Sequence, residues 1–147
     1  MVKQLDPETA RKKAWLNRYQ DSLRRQKRLA FLIEEARSEA TSLQSPGRVR
    51  TAPTGVYSDR VANAVQRIDE LQQDYSAEVE HGDQIRAEIK TAIEALPEIM
   101  QILVLYHRYL QGEKVETVCC SVGCSVSTFR RLHIAALAAL KLPENVV

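Results

Sequence analysis

VETVCCSVGCSVSTFRRLHIAALAAL, residues 115–140, is the stretch from which the rest of the chain can be read. In its first half, Val118, Cys119 and Val122 put small apolar groups on one face of a short helix. In its second half, Phe129, Leu132, Ala136 and Leu140 form a matching stripe at helical spacing. Gly123 lies between them and supplies the backbone freedom for a tight turn, while Ser125, three positions before Thr128, is placed to cap the second helix. The spacing predicts two short helices whose apolar stripes face each other across a turn, a helix-turn-helix.

The second helix then leaves Val126, Ser127, Arg130, Arg131 and Ile134 together on its outer face. Hydroxyls and two adjacent guanidiniums near a helix N-terminus suit the major groove of duplex DNA, where arginine pairs with guanine and hydroxyls meet bases or phosphates. The residues expected to touch DNA are Ser125, Val126, Ser127, Thr128, Arg130 and Arg131. The plainer alternative is a helical hairpin whose two arginines are merely solvated.

Composition points the same way. Among 147 residues there are one Trp, two Phe and five Tyr, and Gly and Pro number five each, mostly outside the periodic runs; this is the profile of an all-α protein. No run approaches the roughly 18 apolar residues that cross a bilayer, and the N-terminus lacks the apolar core of a secretory signal, so no membrane partner and a cytoplasmic location are expected. Cys119, Cys120 and Cys124 invite a metal reading. Cys119 and Cys124 occupy positions the motif needs apolar, and His133 is the one histidine near them, so the expectation is two buried core thiols with Cys120 more exposed, no metal and no cofactor.

Upstream, Asp6-Pro7-Glu8 reads as a helix start, with Asp6 as cap and Pro7 at the first helical position. Leu16, Tyr19, Leu23, Ala30, Ile33, Ala36, Ala40 and Leu43 recur at threes and fours, which predicts a helix over residues 7–43. Its other faces carry Arg11-Lys12-Lys13 and the basic run 24–28, expected to be solvated or paired with an acidic neighbour. QSPGRVRTAPTGVY, residues 44–57, reads as a loop. Ser58 or Asp59 is then expected to cap a second long helix over residues 58–95, carried past Gly82 by a near-heptad stripe that ends in Ile85, Ile89 and Ile93.

The charge is polarised along the chain. Residues 1–50 hold 12 Lys and Arg against 6 Asp and Glu, and residues 51–100 hold 4 against 10. One basic and one acidic helix joined by a loop fold back most simply as a long antiparallel, coiled-coil-like hairpin spanning residues 1–95. Two helices make a thin core, so the hairpin is expected to seek a second copy and form a homodimer, unless the C-terminal part folds back onto it.

Leu96-Pro97-Glu98 ends that helix and begins another, Ile99 to Leu110, with Pro97 in its first turn and Gly112 as its stop. Being apolar over much of its circumference, it is expected to be the buried centre of a three-helix C-terminal domain, residues 96–147. His107 and Arg108 fall on its less apolar side, as surface or salt-bridge residues.

LPEIMQILVLYHRYLQG followed by residues 115–140 resembles region 4 of bacterial sigma factors, in the Leu-Pro start, in Arg108-Tyr109 with Gly112 closing the helix, and in the Ser-x-Ser-Thr-aromatic opening of the second motif helix. The whole chain is similar to small phage and prophage proteins of the RinA and ArpU late-gene regulator type, with Ser58-Asp59-Arg60-Val61 as their characteristic opening. The resemblance implies a sequence-specific DNA-binding transcription regulator, not an enzyme, whose residues 125–131 face promoter DNA and which also meets RNA polymerase. Two other readings stand beside it: a DNA-packaging component like a small terminase subunit, and a polymerase-binding adaptor that touches no DNA.

Overall fold

The structure, a computed structural model, describes residues 6–43 and 54–144, and all of their regular structure is helical. Helix α1 spans Pro7–Leu43, α2 Thr54–Glu94, α3 Ile99–Leu105, α4 Val115–Val122 and α5 Val126–Ala139. A π-helical segment, Tyr106–Leu110, continues α3. No described helix is long and apolar enough to cross a membrane.

Helix α1 opens as its first residues dictate. The Asp6 carbonyl accepts the first intrahelical bond from the Ala10 amide at 3.0 Å, Pro7 takes the position where a missing N–H costs nothing, and Glu8 lies in the positive first turn. Helix α2 departs from expectation by beginning at Thr54, so Ser58 and Asp59 are inside it and do not cap it. The first turn of α2 holds no acid, and the hydroxyl and carboxylate of Ser58 and Asp59 lie about one turn inside it, so the capping pattern pointed too late. Residues 44–53 of the expected loop lie outside the described residues.

The chain packs as two compact units, and the division is not at residue 95: one unit takes Met1–Asp21 with Gly82–Val147, the other Ser22–His81. Both long helices run through both units. In the first, Trp15 and Leu16 of α1, Ile85, Ile89 and Ile93 of α2, Leu105, Tyr109 and Leu110, and Ala136, Leu137 and Leu140 form one buried cluster. Each fully buried leucine or isoleucine in it contributes about 1.5–3 kcal/mol relative to an exposed one. The isoleucine stripe of α2 is covered by Trp15 and Leu16 of α1 and by the C-terminal helices of the same chain, the alternative to a second copy, because those helices present an apolar face of their own.

In the second unit, α1 and α2 pair with each other. Ser22 and Arg25 meet Glu78, while Ile33 and Ala36 cluster with Leu71, so numbering rises along one helix as it falls along the other and the two run antiparallel. Partly buried Leu29, Leu32, Ile68 and Tyr75 flank that small core. The opposed charges meet between the helices in the Arg25–Glu78 pair, at 2.9 Å. Burial alone would raise the Glu78 carboxyl, but the hydrogen bond from Ser22 and the Arg25 guanidinium outweigh it and hold the group below its usual value.

Three local features of the first unit also differ from the sequence reading. Pro97 precedes the N-cap, which is Glu98, and does not sit in the first turn of α3. Ile99 is 71 % exposed, since it falls at the very start of α3, before the helix reaches the core. Lys12, expected on a solvated face, is buried: its Nζ donates to the carbonyls of Leu137 at 2.8 Å and Ala138 at 3.3 Å. Those carbonyls belong to the last turn of α5, where a helix has acceptors without donors and a partial negative charge, so a buried ammonium finds both there.

Candidate nucleic-acid interface

The segment from the π turn through α5 is tied down from several sides before it reaches solvent. The Gln111 amide donates to the Tyr106 carbonyl at 3.0 Å, closing the π turn, and Gly112 follows in the left-handed region at φ 68°. Gln20 of α1 donates through Nε2 to the carbonyls of Tyr109 at 3.0 Å and Leu110 at 3.3 Å, supplying two more acceptors at a helix end. His107 Nδ1 lies 3.0 Å from Glu113 Oε2, and Arg108 donates to the Glu113 carbonyl at 3.0 Å, so both residues fasten the link into α4.

Helix α4 ends at Gly123, also left-handed, at φ 73°. The amides of Gly123 and Cys124 both donate to the Cys119 carbonyl, at 2.9 and 3.0 Å. Glycine is required by that backbone conformation alone, because nothing lies within 4 Å of where its Cβ would be. Cys124 then packs back against the buried cluster of Val104, Val118, Cys119 and Phe129, the apolar contact that commonly accompanies such a helix end. The three cysteines are free thiols, with Cys119 buried, Cys124 half-buried and Cys120 exposed. Burial, then the neighbouring Cys124 thiol, pushes the Cys119 thiol up. Among the described residues no group of three or more His, Cys, Asp or Glu side chains is gathered as a metal site would need.

Ser125 is extended, at φ −80° and ψ 164°, and its Oγ accepts from the Thr128 amide at 3.2 Å, the N-cap its spacing predicted. The same hydroxyl donates to Thr128 Oγ1 at 3.0 Å, and Arg131 Nη2 reaches that oxygen at 3.5 Å. Cap, threonine and arginine therefore form one chain of polar contacts along the first turns of α5. Val126, Ser127, Arg130 and Arg131 are exposed, Ser125 is exposed, and Thr128 is half-buried, so the structure brings the six residues singled out in the sequence to one end of one helix.

The opposite face of α5 is held by contacts that sequence reasoning did not identify. His133 stacks on Phe129 at 5.4 Å between ring centroids and on Tyr109 at 5.8 Å. The Tyr109 hydroxyl lies 2.7 Å from His133 Nε2. Burial, followed by the nearby charges of Lys13 and Arg108, pushes His133 down to about 4, and burial pushes Tyr109 up to about 12. With the imidazole neutral and the phenol protonated, Tyr109 donates and Nε2 accepts. The one signal in the sequence was position: His133 falls four residues after Phe129 and four before Leu137, on the buried stripe.

The basic run 24–28 is partly committed within the chain, since Arg25 binds Glu78. Arg18, in the first unit, pairs with Glu88 at 3.4 Å and lies over the Trp15 ring at 5.9 Å. No protein-family model, curated protein or solved structure matches this chain.

Proposed function

We propose that the chain is a sequence-specific DNA-binding regulator of transcription, of the phage or prophage kind its sequence resembles, in which α4, the Gly123 turn and α5 act as a helix-turn-helix of the sigma region 4 type. The observation that carries this reading is the division of α5 into two faces. One face is locked by Phe129, His133, Ala136 and Leu137, and the other presents Ser125, Val126, Ser127, Arg130 and Arg131 to solvent at the helix N-terminus. A recognition helix needs both, a rigid mount and a short polar face rich in hydrogen-bond donors. Within this reading the antiparallel pair of long helices is the platform that carries the motif, double-stranded DNA is the partner, and RNA polymerase is a second one.

Homodimerisation through the N-terminal pair of long helices belongs to the same proposal. The support for it is that Phe31 of α1 and Val65 of α2 are large apolar side chains left 67 % and 49 % exposed on the long helices. The same exposure also favours a packaging component, which would assemble into a larger ring. Mass measurement in solution separates the two, a dimer supporting regulation and an eight- to ten-membered assembly supporting packaging.

The decisive experiment is selection of bound duplexes from random sequence, followed by binding of Arg130→Ala and Arg131→Ala to the selected site. Loss of a base contact costs about 1–3 kcal/mol on that site alone, whereas loss of a phosphate contact weakens all sequences and lowers the salt slope by about one. A folded double variant that binds as tightly as the parent would end the proposal.

A further inference from the structure

We infer that Ile134 reads the 5-methyl group of a thymine, one or two base pairs from the base met by Arg130 or Arg131; this rests on the DNA-binding reading above and adds a specificity determinant to it. Ile134 is 65 % exposed, although Ala136 and Leu137 beside it are fully buried, so its side chain contributes nothing to the core that mounts the helix. It lies four residues after Arg130 and three after Arg131, on the same outward side of α5. Val126, four residues before Arg130, is also exposed, so a β-branched apolar group stands at each end of the row Val126, Arg130, Ile134.

Among the described residues, the surface around Ile134 lacks the large apolar or aromatic anchors on which protein–protein binding rests. The outward neighbours of Ile134 toward the C-terminus, Ala135 and Ala138, are too short to build an apolar anchor around it. The major groove offers the mixture this row asks for, with guanine edges as arginine acceptors and the thymine methyl as the apolar group protruding into the groove. The distances agree. Along a helix rising about 1.5 Å per residue, Ile134 is about 4.5–6 Å beyond the arginines. Base pairs follow each other at about 3.4 Å, so the two contacts fall one or two steps apart. The Arg131 guanidinium leans back toward Thr128, which leaves the C-terminal side of the row to Ile134.

The test uses the full-length protein and a duplex selected as above, with each thymine replaced singly by deoxyuridine, which removes only the 5-methyl group. At one thymine within two base pairs of an arginine-contacted base, removal of the methyl should weaken binding about fourfold, the worth of one buried methyl-sized group. With Ile134→Ala the parent duplex should bind correspondingly more weakly, and the uracil duplex should bind no worse than the thymine one. Ile134→Val, which keeps a branched apolar tip, should retain the discrimination. Binding that ignores every uracil substitution, or discrimination that persists in Ile134→Ala, overturns the inference while leaving DNA binding intact. If Ile134→Ala weakens binding equally on both duplexes, Ile134 has another role and the inference falls. Failure to select any duplex overturns the DNA-binding reading and this inference with it.

Discussion

Gln20 lies against Gly112 so closely that a Cβ built on the glycine would stand 2.6 Å from Gln20 Oε1. The contact joins α1 to the end of the π segment, and through it the N-terminal helix closes the carbonyls of Tyr109 and Leu110. Gly112 is required by its positive φ, and a Cβ there would in addition displace the Gln20 amide. Gly123 is required only by its φ.

This difference predicts an order of stabilities. An L-residue in the left-handed region costs about 1–2 kcal/mol. Gly123→Ala should lose about that much, and Gly112→Ala should lose more, because Gln20 must also move and give up its two hydrogen bonds. Urea denaturation of the two variants measures the gap; equal losses would mean that Gln20 yields freely.

Lys12→Met should destabilise the protein by about 1–3 kcal/mol, since it leaves two carbonyls at the end of α5 without a donor and removes a cation from the negative helix end. Lys27→Met, at an exposed position of the same helix, should change stability by less than about 0.5 kcal/mol. Thermal unfolding of the pair separates a capping role for Lys12 from a mere change of net charge.

Stability should fall on acidification in a window set by His133. Its folded value, about 4, lies below the ordinary 6.5, so the folded state binds fewer protons between the two. The contribution is complete above pH 6.5, shrinks as pH falls toward 4 and changes no further below that. Protonation would put a charge near Lys13 and Arg108 and remove the acceptor used by Tyr109. Allowing for partial exposure, the loss should be about 1–3 kcal/mol. His133→Gln should flatten this part of the stability profile, leaving the Glu78 carboxylate to contribute its own loss at lower pH. An unchanged slope in His133→Gln would assign the titration elsewhere.

The three thiols should react in sequence. Cys120 is exposed and should be alkylated first in the folded protein, whereas Cys119 is buried with its thiol pushed up and should react only on unfolding. Mass spectrometry of timed iodoacetamide reactions reads the order.

Phe129→Ala should act on the mount and not on the contact surface. It empties space between Val104, Val118 and Cys119 and removes one face of the His133 stack, at a cost of about 3–5 kcal/mol. Circular dichroism and denaturation should therefore change strongly in Phe129→Ala and little in Arg130→Ala.

Much of the helix pattern was legible because its signals act within a turn or two. Asp6-Pro7 marks the start of α1, Gly123 the end of α4 and Ser125 the start of α5, each through the backbone groups of its immediate neighbours. Periodicity likewise marked Leu16, Ile33, Ala36, Ile85, Ile89, Ile93, Phe129, Ala136 and Leu140 as inward-facing, and all of them are buried. It could not say against what, since an apolar stripe is satisfied by any apolar surface. Only the tertiary structure decided that α3 and α5 cover the stripe of α2, that Lys12 serves a helix end 125 residues away and that Gln20 serves one 89 residues away. A lysine on a helix carries the same local pattern whether its ammonium meets water or buried carbonyls, so those roles are settled by which helix end comes within a side chain's reach.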